Sequence, residues 1–227
     1  MPSSPDPVAA WYLFSLGLAV GLAVLAMTAY LSVSPRWLRW MLLASGAYVT
    51  SRYVTMALFA VSPEPQRLWA LRRCWLASSV GLTFPMLVAL DQLVRHPAMS
   101  PRKLLRWFSP FLAAYALIIL FGRFELGADR VAGSSPRLVG WTLWLLAVVQ
   151  GSFVVGFLGL GALLIRKLPF RHIQLALGGL MIAVGYLGLD GLLVATDRWY
   201  ARPFLFSEIL AMIAIWFALE TARTAAT

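Results

Sequence analysis

The sequence predicts an all-α membrane protein: a bundle of seven transmembrane helices that forms one domain over residues 1–227. Composition is the first reason. Hydrophobic residues make up 61% of the chain and charged residues 12%, whereas soluble domains have about 45–50% apolar and about 25% charged residues. The second reason is that the apolar residues fall into seven runs. Each run is close to the roughly 20 residues that cross a hydrocarbon core of about 30 Å.

The runs predict seven helices separated by short loops. Their approximate bounds are 8–31, 38–61, 69–94, 105–121, 138–165, 173–195 and 203–222. The first run follows MPSSPDPVAA, which lacks the positive region of a signal peptide, so we interpret it as a spanning helix. The fourth is the least regular, because Pro110 interrupts it and Arg106 and Arg123 bracket it closely. Tryptophans near run ends are typical of an interfacial belt: Trp37, Trp40, Trp69, Trp107, Trp141 and Trp199.

Glycines within the runs predict close helix packing inside the bundle. They are Gly17 and Gly21 in the first helix, Gly151, Gly156, Gly159 and Gly161 in the fifth, and Gly185, Gly188 and Gly191 in the sixth. The longest loop, residues 123–137, is too short for a separate domain.

Lysine and arginine in the loops predict the orientation. Ten bases fall on one side of the membrane and eight on the other, and both lysines are on the first side. Because cytoplasmic loops carry the excess of Lys and Arg, we place the N-terminus outside and the C-terminus in the cytoplasm. The expected location is a bacterial inner membrane.

Several function classes are excluded by residue content. The net charge of +10 is spread over membrane loops, with no basic and aromatic patch typical of nucleic-acid binding. The only cysteine is Cys74, and the only histidines, His96 and His172, are predicted in loops. A retinal Schiff base needs a lysine within the bundle, and Lys103 and Lys167 are predicted outside it. We therefore expect no cofactor, no metal and no enzymatic activity.

Three ionisable residues fall inside apolar runs and form the candidate site. Arg52 lies about 20 Å along the second helix, Asp190 about 25 Å along the sixth, and Glu208 about 8 Å into the seventh. With alternating helix directions these depths coincide, near the outer leaflet. A charge in hydrocarbon needs a partner or a wet cavity. The sequence therefore predicts that the three side chains converge in a polar pocket.

Polar residues at helical spacing extend this candidate pocket. Tyr48 precedes Arg52 by one turn, and Tyr186 precedes Asp190 by one turn. Arg72 and Arg73, at the start of the third run, would balance the second acid. Alternatives are a raised carboxyl pKa, a bound cation or a proton-coupled step. A purely structural role, in which Arg52 only ties helices together, is an equally open interpretation.

Two passages resemble the N-terminal seven-transmembrane sensor region of bacterial histidine kinases and related signalling proteins. They are RLWALRRCWLASSVGLTFPMLVALDQLVRHP and RHIQLALGGLMIAVGYLGLDGLL, the latter followed by RPFLFSEILAMIAIWFALE. The resemblance implies a sensory or ligand-binding input domain with a cytoplasmic C-terminus. Such regions continue into an output domain and this sequence does not, so the expectation is a freestanding sensor that signals through a partner.

Three functions remain as hypotheses. The leading one is a non-enzymatic sensory protein that takes a small molecule or lipid in its outer pocket and signals to a cytoplasmic or membrane protein. The second is an accessory or assembly subunit of a larger membrane complex. The third is a small transporter that uses the acids for proton or cation coupling. Internal repeats would favour the transporter, and the sequence shows none.

Overall fold

A computed structural model describes residues 7–95, 100–129, 133–168, 170–195 and 205–225. Across these ranges the chain forms seven α-helices, one 3₁₀ helix and a β-hairpin. The α-helices are α1 (Pro7–Tyr30), α2 (Arg36–Val61), α3 (Ala77–Val94), α4 (Pro101–Phe121), α5 (Trp141–Ile165), α6 (Arg171–Ala195) and α7 (Phe206–Thr224). The 3₁₀ helix (Pro65–Leu76) runs directly into α3, and strands β1 (Arg123–Asp129) and β2 (Gly133–Val139) connect α4 to α5.

Apolar length identifies the chain as membrane-embedded. Five helical segments are long and apolar enough to cross a bilayer: Pro7–Tyr30, Pro65–Val94, Pro101–Phe121, Trp141–Ile165 and Arg171–Leu193. The all-α prediction is confirmed at this level. The two α-helices outside this set are α2 and α7, which contain Arg52 and Glu208 respectively.

Several helices begin at positions that differ from the predicted ones. Helix α4 begins at Pro101 rather than 105, because the Ser100 side chain caps it by accepting from the Lys103 amide at 3.3 Å. Helix α6 begins at Arg171. Lys103 and His172 therefore lie in first turns and not in loops. The predicted start of the seventh helix at position 203 lies outside the described residues, and α7 begins at Phe206.

Two local predictions were wrong in type. The first part of the third predicted helix is 3₁₀ and not α. The segment expected to be a loop at 123–137 is an antiparallel hairpin, in which Glu125 pairs with Arg137 and Arg123 with Val139. Hairpin pairing extends to Val139, so α5 begins at Trp141 rather than at 138.

Helix α3 is the centre of the bundle. In the Pro65–Val94 segment, 72% of the most apolar 18-residue stretch is buried inside the protein, against 22–28% in the other four apolar segments. It packs against α2, α4, α5, α6 and α7. Short connections make neighbouring helices antiparallel, so the bundle has two ends. We call them the hairpin end, near Val61 and Phe121, and the C-terminal end, near Val94 and Thr224.

Glycines make close helix contacts at only some of the predicted positions. A Cβ on Gly81 of α3 would lie 2.1 Å from Val49 Cγ2 and 2.9 Å from the Ser45 carbonyl oxygen of α2. Gly188 of α6 packs in the same way against Val154 of α5. By contrast, nothing described lies within 4 Å of a Cβ placed on Gly17, Gly21, Gly151, Gly156 or Gly159. Tight packing was therefore wrongly predicted for these five glycines.

Candidate functional site

A buried ion pair joins α2 to α7 near the hairpin end. The Arg52 guanidinium donates from Nη2 to Glu208 Oε1 at 2.9 Å and from Nε to Glu208 Oε2 at 3.3 Å. The two side chains are 4% and 8% exposed. The geometry is the two-point fork that a guanidinium makes with a carboxylate, and it is stronger and more directional than a single hydrogen bond.

The third guanidinium nitrogen binds the backbone of another segment. Arg52 Nη1 donates to the Trp75 carbonyl oxygen, and the guanidinium carbon lies 5.8 Å from the centre of the Trp75 ring. Trp75 is the penultimate residue of the 3₁₀ helix. One side chain thus connects α2, α7 and the point at which the 3₁₀ helix becomes α3.

The 3₁₀ helix is unusual in its length of 12 residues. Runs beyond three or four residues are uncommon, because 3₁₀ hydrogen bonds have poorer geometry than α-helical ones, and longer runs often mark a hinge or strain. Pro65 occupies its first turn, where a missing amide hydrogen has little cost. Its carboxyl end is held by the Arg52 contact and by Trp75, which packs edge-to-face on Phe59 at 5.8 Å.

Glu208 lies beside the unpaired backbone amides at the start of α7. Glu208 lies in the first turn of α7, and Leu205 before it has a left-handed backbone with φ of 55° and makes no side-chain cap. Unpaired amides at a helix N-terminus give it a partial positive charge. The carboxylate is therefore stabilised both by Arg52 and by the end of its own helix.

Two buried tyrosines complete the surroundings of the pair. Tyr53 is fully buried beside Glu208, and its hydroxyl lies 3.9 Å from Met212 Sδ. Tyr12 of α1 lies close enough to interact with Arg52 and is 2% exposed. Sequence reasoning missed Trp75, Tyr53 and Tyr12. The sequence predicted Arg52 and Glu208, which lie beside these residues. The contact with Trp75 is made through its backbone carbonyl, which leaves no signal in the sequence.

Asp190 joins this region through Ser207. The Ser207 hydroxyl donates to Asp190 Oδ2 at 2.8 Å, and this bond links α7 to α6. Ser207 directly precedes Glu208 in the chain. The structure thus brings the three predicted charges to one region, with Arg52 bound to Glu208 and Asp190 attached one residue away.

The remaining predicted site residues lie outside the ion pair's hydrogen bonds. The Tyr48 hydroxyl donates to the Arg73 carbonyl oxygen at 3.1 Å, and Arg73 Nη2 donates to the Leu120 carbonyl oxygen at 3.4 Å. Arg72 bonds the Trp69 carbonyl at 2.8 Å and stacks on the Trp69 ring. The Tyr48 and Arg73 contacts anchor the 3₁₀ helix to α2 and α4, whereas the Arg72 contacts lie within the 3₁₀ helix. Tyr186 is half-buried on α6, one turn before Asp190.

Comparisons with known proteins leave the family open. Among the described residues, no group of three His, Cys, Asp or Glu side chains is arranged to hold a metal ion. No known family model matches the chain. No curated protein matches it significantly in sequence.

Proposed function

We propose that the protein is a seven-span sensory membrane protein whose state is set by making and breaking the Arg52–Glu208 ion pair. The observation that carries the proposal is the shared guanidinium, which binds Glu208 in α7 and the Trp75 carbonyl at the end of the 3₁₀ helix at the same time. Any ligand or proton that competes for Glu208 also changes the hold on the 3₁₀ helix. The output passes to a separate protein partner in the membrane or cytoplasm.

Seven spans require α2 and α7 to cross the bilayer with the five apolar helices. Each is long enough for most of the hydrocarbon core, at 26 and 19 residues. Their hydropathy is lowered by charges, and two of those charges are Arg52 and Glu208, which neutralise each other inside the bundle. In this proposal the hairpin end faces outward and the C-terminal end faces the cytoplasm of a bacterial cell.

Stability alone gives no reason for such a pair. Well-packed apolar residues of similar volume are often as stabilising as a buried ion pair, or more so, because both charges lose their hydration. Ionisable residues within membrane spans mark functional sites by default. A pair that also holds a 12-residue 3₁₀ helix has the parts of a two-state element.

Release of the Trp75 carbonyl gives the 3₁₀ helix a route to α-helix. A 3₁₀ helix rises about 2.0 Å per residue and an α-helix about 1.5 Å, so conversion of the whole segment shortens it by about 6 Å. Helix α3 continues from it to the C-terminal end. There the Arg95 guanidinium donates to the Ala222 carbonyl oxygen of α7. A shift of α3 is thereby transmitted to the last turn of α7.

The native cysteine provides the test. Cys74 is the only cysteine in the chain, lies in the 3₁₀ helix and is half-buried. We expect Glu208→Gln, which weakens the ion pair, to change the rate of Cys74 alkylation by a maleimide at least about threefold in nanodiscs. The control is Glu220→Gln, which removes the other acid of α7 and its exposed pair with Arg223. Equal rates in wild type, Glu208→Gln and Glu220→Gln would refute the switch.

An accessory subunit is the second candidate function, and the burial of the pair favours it. Side chains only 4% and 8% exposed, with their hydrogen bonds made within the chain, suit a fixed brace. That function predicts unchanged Cys74 alkylation in Glu208→Gln together with co-purification of a constant set of membrane proteins. A sensor predicts the altered rate even for the isolated protein.

A further inference from the structure

A second polar site lies away from the ion pair, in a cavity between α3, α5 and α6. Its volume is about 170 Å³. Its wall is mostly apolar, with polar or small residues from three helices: Ser79, Thr83, Gln150, Gly151, Gly188 and Gly191. Neither Arg52 nor Glu208 lines it. At about 30 Å³ for each water-sized group, the cavity has room for roughly half a dozen such groups.

The cavity reaches the lipid-facing surface between α5 and α6. Leu192 lines it and is 62% exposed. Gly151, on the opposite side, is also exposed and has open space where a Cβ would lie. Its mouth therefore faces hydrocarbon, and its occupant reaches it from within the bilayer.

Gln150 gives the cavity a free hydrogen-bond acceptor. Its Nε2 donates to Ser79 Oγ at 2.8 Å. Oε1 then points towards α6, 3.6 Å from the place of a Cβ on Gly191. No donor within the described ranges bonds this oxygen. Because Gly191 has no side chain, a donor on an incoming molecule has space beside it.

Depth restricts the chemistry of the occupant. Gln150 is nine residues beyond Trp141 at the start of α5, or about 14 Å along the helix and near the middle of the bilayer. A charged headgroup is costly at this depth. We propose that the cavity binds a neutral lipid alcohol, with its hydroxyl donating to Gln150 Oε1 and its hydrocarbon chain leaving between α5 and α6 past Leu192. This site does not depend on the ion pair acting as a switch.

Photolabelling of the purified full chain in phosphatidylcholine nanodiscs tests the site. The probe is a 16-carbon alcohol that carries a diazirine and an alkyne near the hydroxyl, compared with its methyl ether. We expect the alcohol to label α5 and α6 around Gly151 and Leu192 about two- to tenfold more than the ether, since only the alcohol donates to Gln150. Gln150→Leu should reduce alcohol labelling to the ether level.

A glycine pair on α5 separates cavity binding from general contact with lipid. Gly151→Leu fills the cavity, whereas Gly159→Leu adds the same side chain to the same helix outside it, and both positions have open space. We expect loss of labelling in Gly151→Leu and wild-type labelling in Gly159→Leu. Equal labelling of the two variants, or labelling spread evenly over the exposed faces of α1 and α5, would overturn the proposal. A Cβ at either position has nothing described within 4 Å, so this comparison stands even if Gln150→Leu does not fold.

Discussion

Arg52 holds three helical segments through one planar group, and a lysine could not replace it. The guanidinium presents donors to both Glu208 oxygens and to the Trp75 carbonyl. An ammonium ion is a compact, strongly hydrated charge without this fork geometry. The site therefore requires the geometry of a guanidinium as well as its positive charge.

The ion pair should show strong coupling between its two partners. Arg52→Met and Glu208→Leu each leave one charge buried alone, so we expect each to lower the free energy of unfolding by about 3–5 kcal/mol. The double variant removes both charges and should cost much less than the sum. Reversible unfolding in mixed micelles measures all four proteins of this cycle. Additive losses would show that the two side chains act independently.

The Ser207 hydroxyl should contribute a smaller, separable amount. Ser207→Ala removes the bond to Asp190 that links α7 to α6. Interhelical hydrogen bonds in membrane proteins contribute about 0.6 kcal/mol on average and up to about 1.7 kcal/mol. We expect a loss in that range by the same unfolding assay. Ser152→Ala is the control, because its hydroxyl bonds the Val149 carbonyl of its own helix at 2.9 Å, and it should unfold like wild type.

Among the secondary-structure elements, the 3₁₀ helix could not be predicted from the sequence. Residues 65–76 are apolar, aromatic and basic in a pattern that is equally compatible with an α-helix. The 3₁₀ conformation is held by contacts distant in sequence: Arg52 binds the Trp75 carbonyl, and Tyr48 binds the Arg73 carbonyl.

The β-hairpin was not predicted for a different reason. Its strands contain Gly, Pro and Asp, which are depleted in strands generally.

Close packing of α2 on α3 should be sensitive to a single methyl group. A Cβ on Gly81 meets Val49 and the Ser45 carbonyl at distances that force one helix to move. We expect Gly81→Ala to lower the free energy of unfolding by about 1–3 kcal/mol, as overpacking does.

Gly21→Ala is the matched control for Gly81→Ala. It adds the same atom to an exposed face of α1 with nothing within 4 Å. Alanine has the higher helix propensity, by about 1 kcal/mol, so this variant should be as stable as wild type or more so. Loss of stability in both variants would point to the glycines' flexibility rather than to the close contact at Gly81.

For the whole molecule, the positions of the helices along the chain could be predicted, because hydrophobicity determines them. All seven α-helices of the described residues were found from apolar runs, and five helical segments are long and apolar enough to cross a bilayer. Helical rise then gave similar depths for Arg52, Asp190 and Glu208, and the structure brings them to one region. Depth does not reveal rotation about the helix axis, so the sequence left open which acid binds Arg52 and did not indicate the role of Ser207.

The orientation prediction can be checked with single cysteines. In a Cys74→Ser background, Ser62→Cys places a thiol at the hairpin end and Thr224→Cys places one at the C-terminal end. We expect an impermeant maleimide to label Ser62→Cys in intact spheroplasts and Thr224→Cys only after permeabilisation, as the excess of bases at the C-terminal end predicts. The reverse pattern would place the ion pair near the cytoplasmic leaflet.

The ion pair also constrains how the chain is made. Arg52 and Glu208 are 156 positions apart, so the helix that needs a counter-charge is among the first to be synthesised and the helix that supplies it is synthesised much later. If α2 and α7 both span the bilayer, as proposed above, α2 has until then no place in hydrocarbon for its guanidinium, and that side chain stays near headgroups or water. Final seating of the second helix thus waits for the seventh. A nascent chain arrested before α7 carries an unburied arginine, and this exposed charge distinguishes an unfinished protein from a complete one.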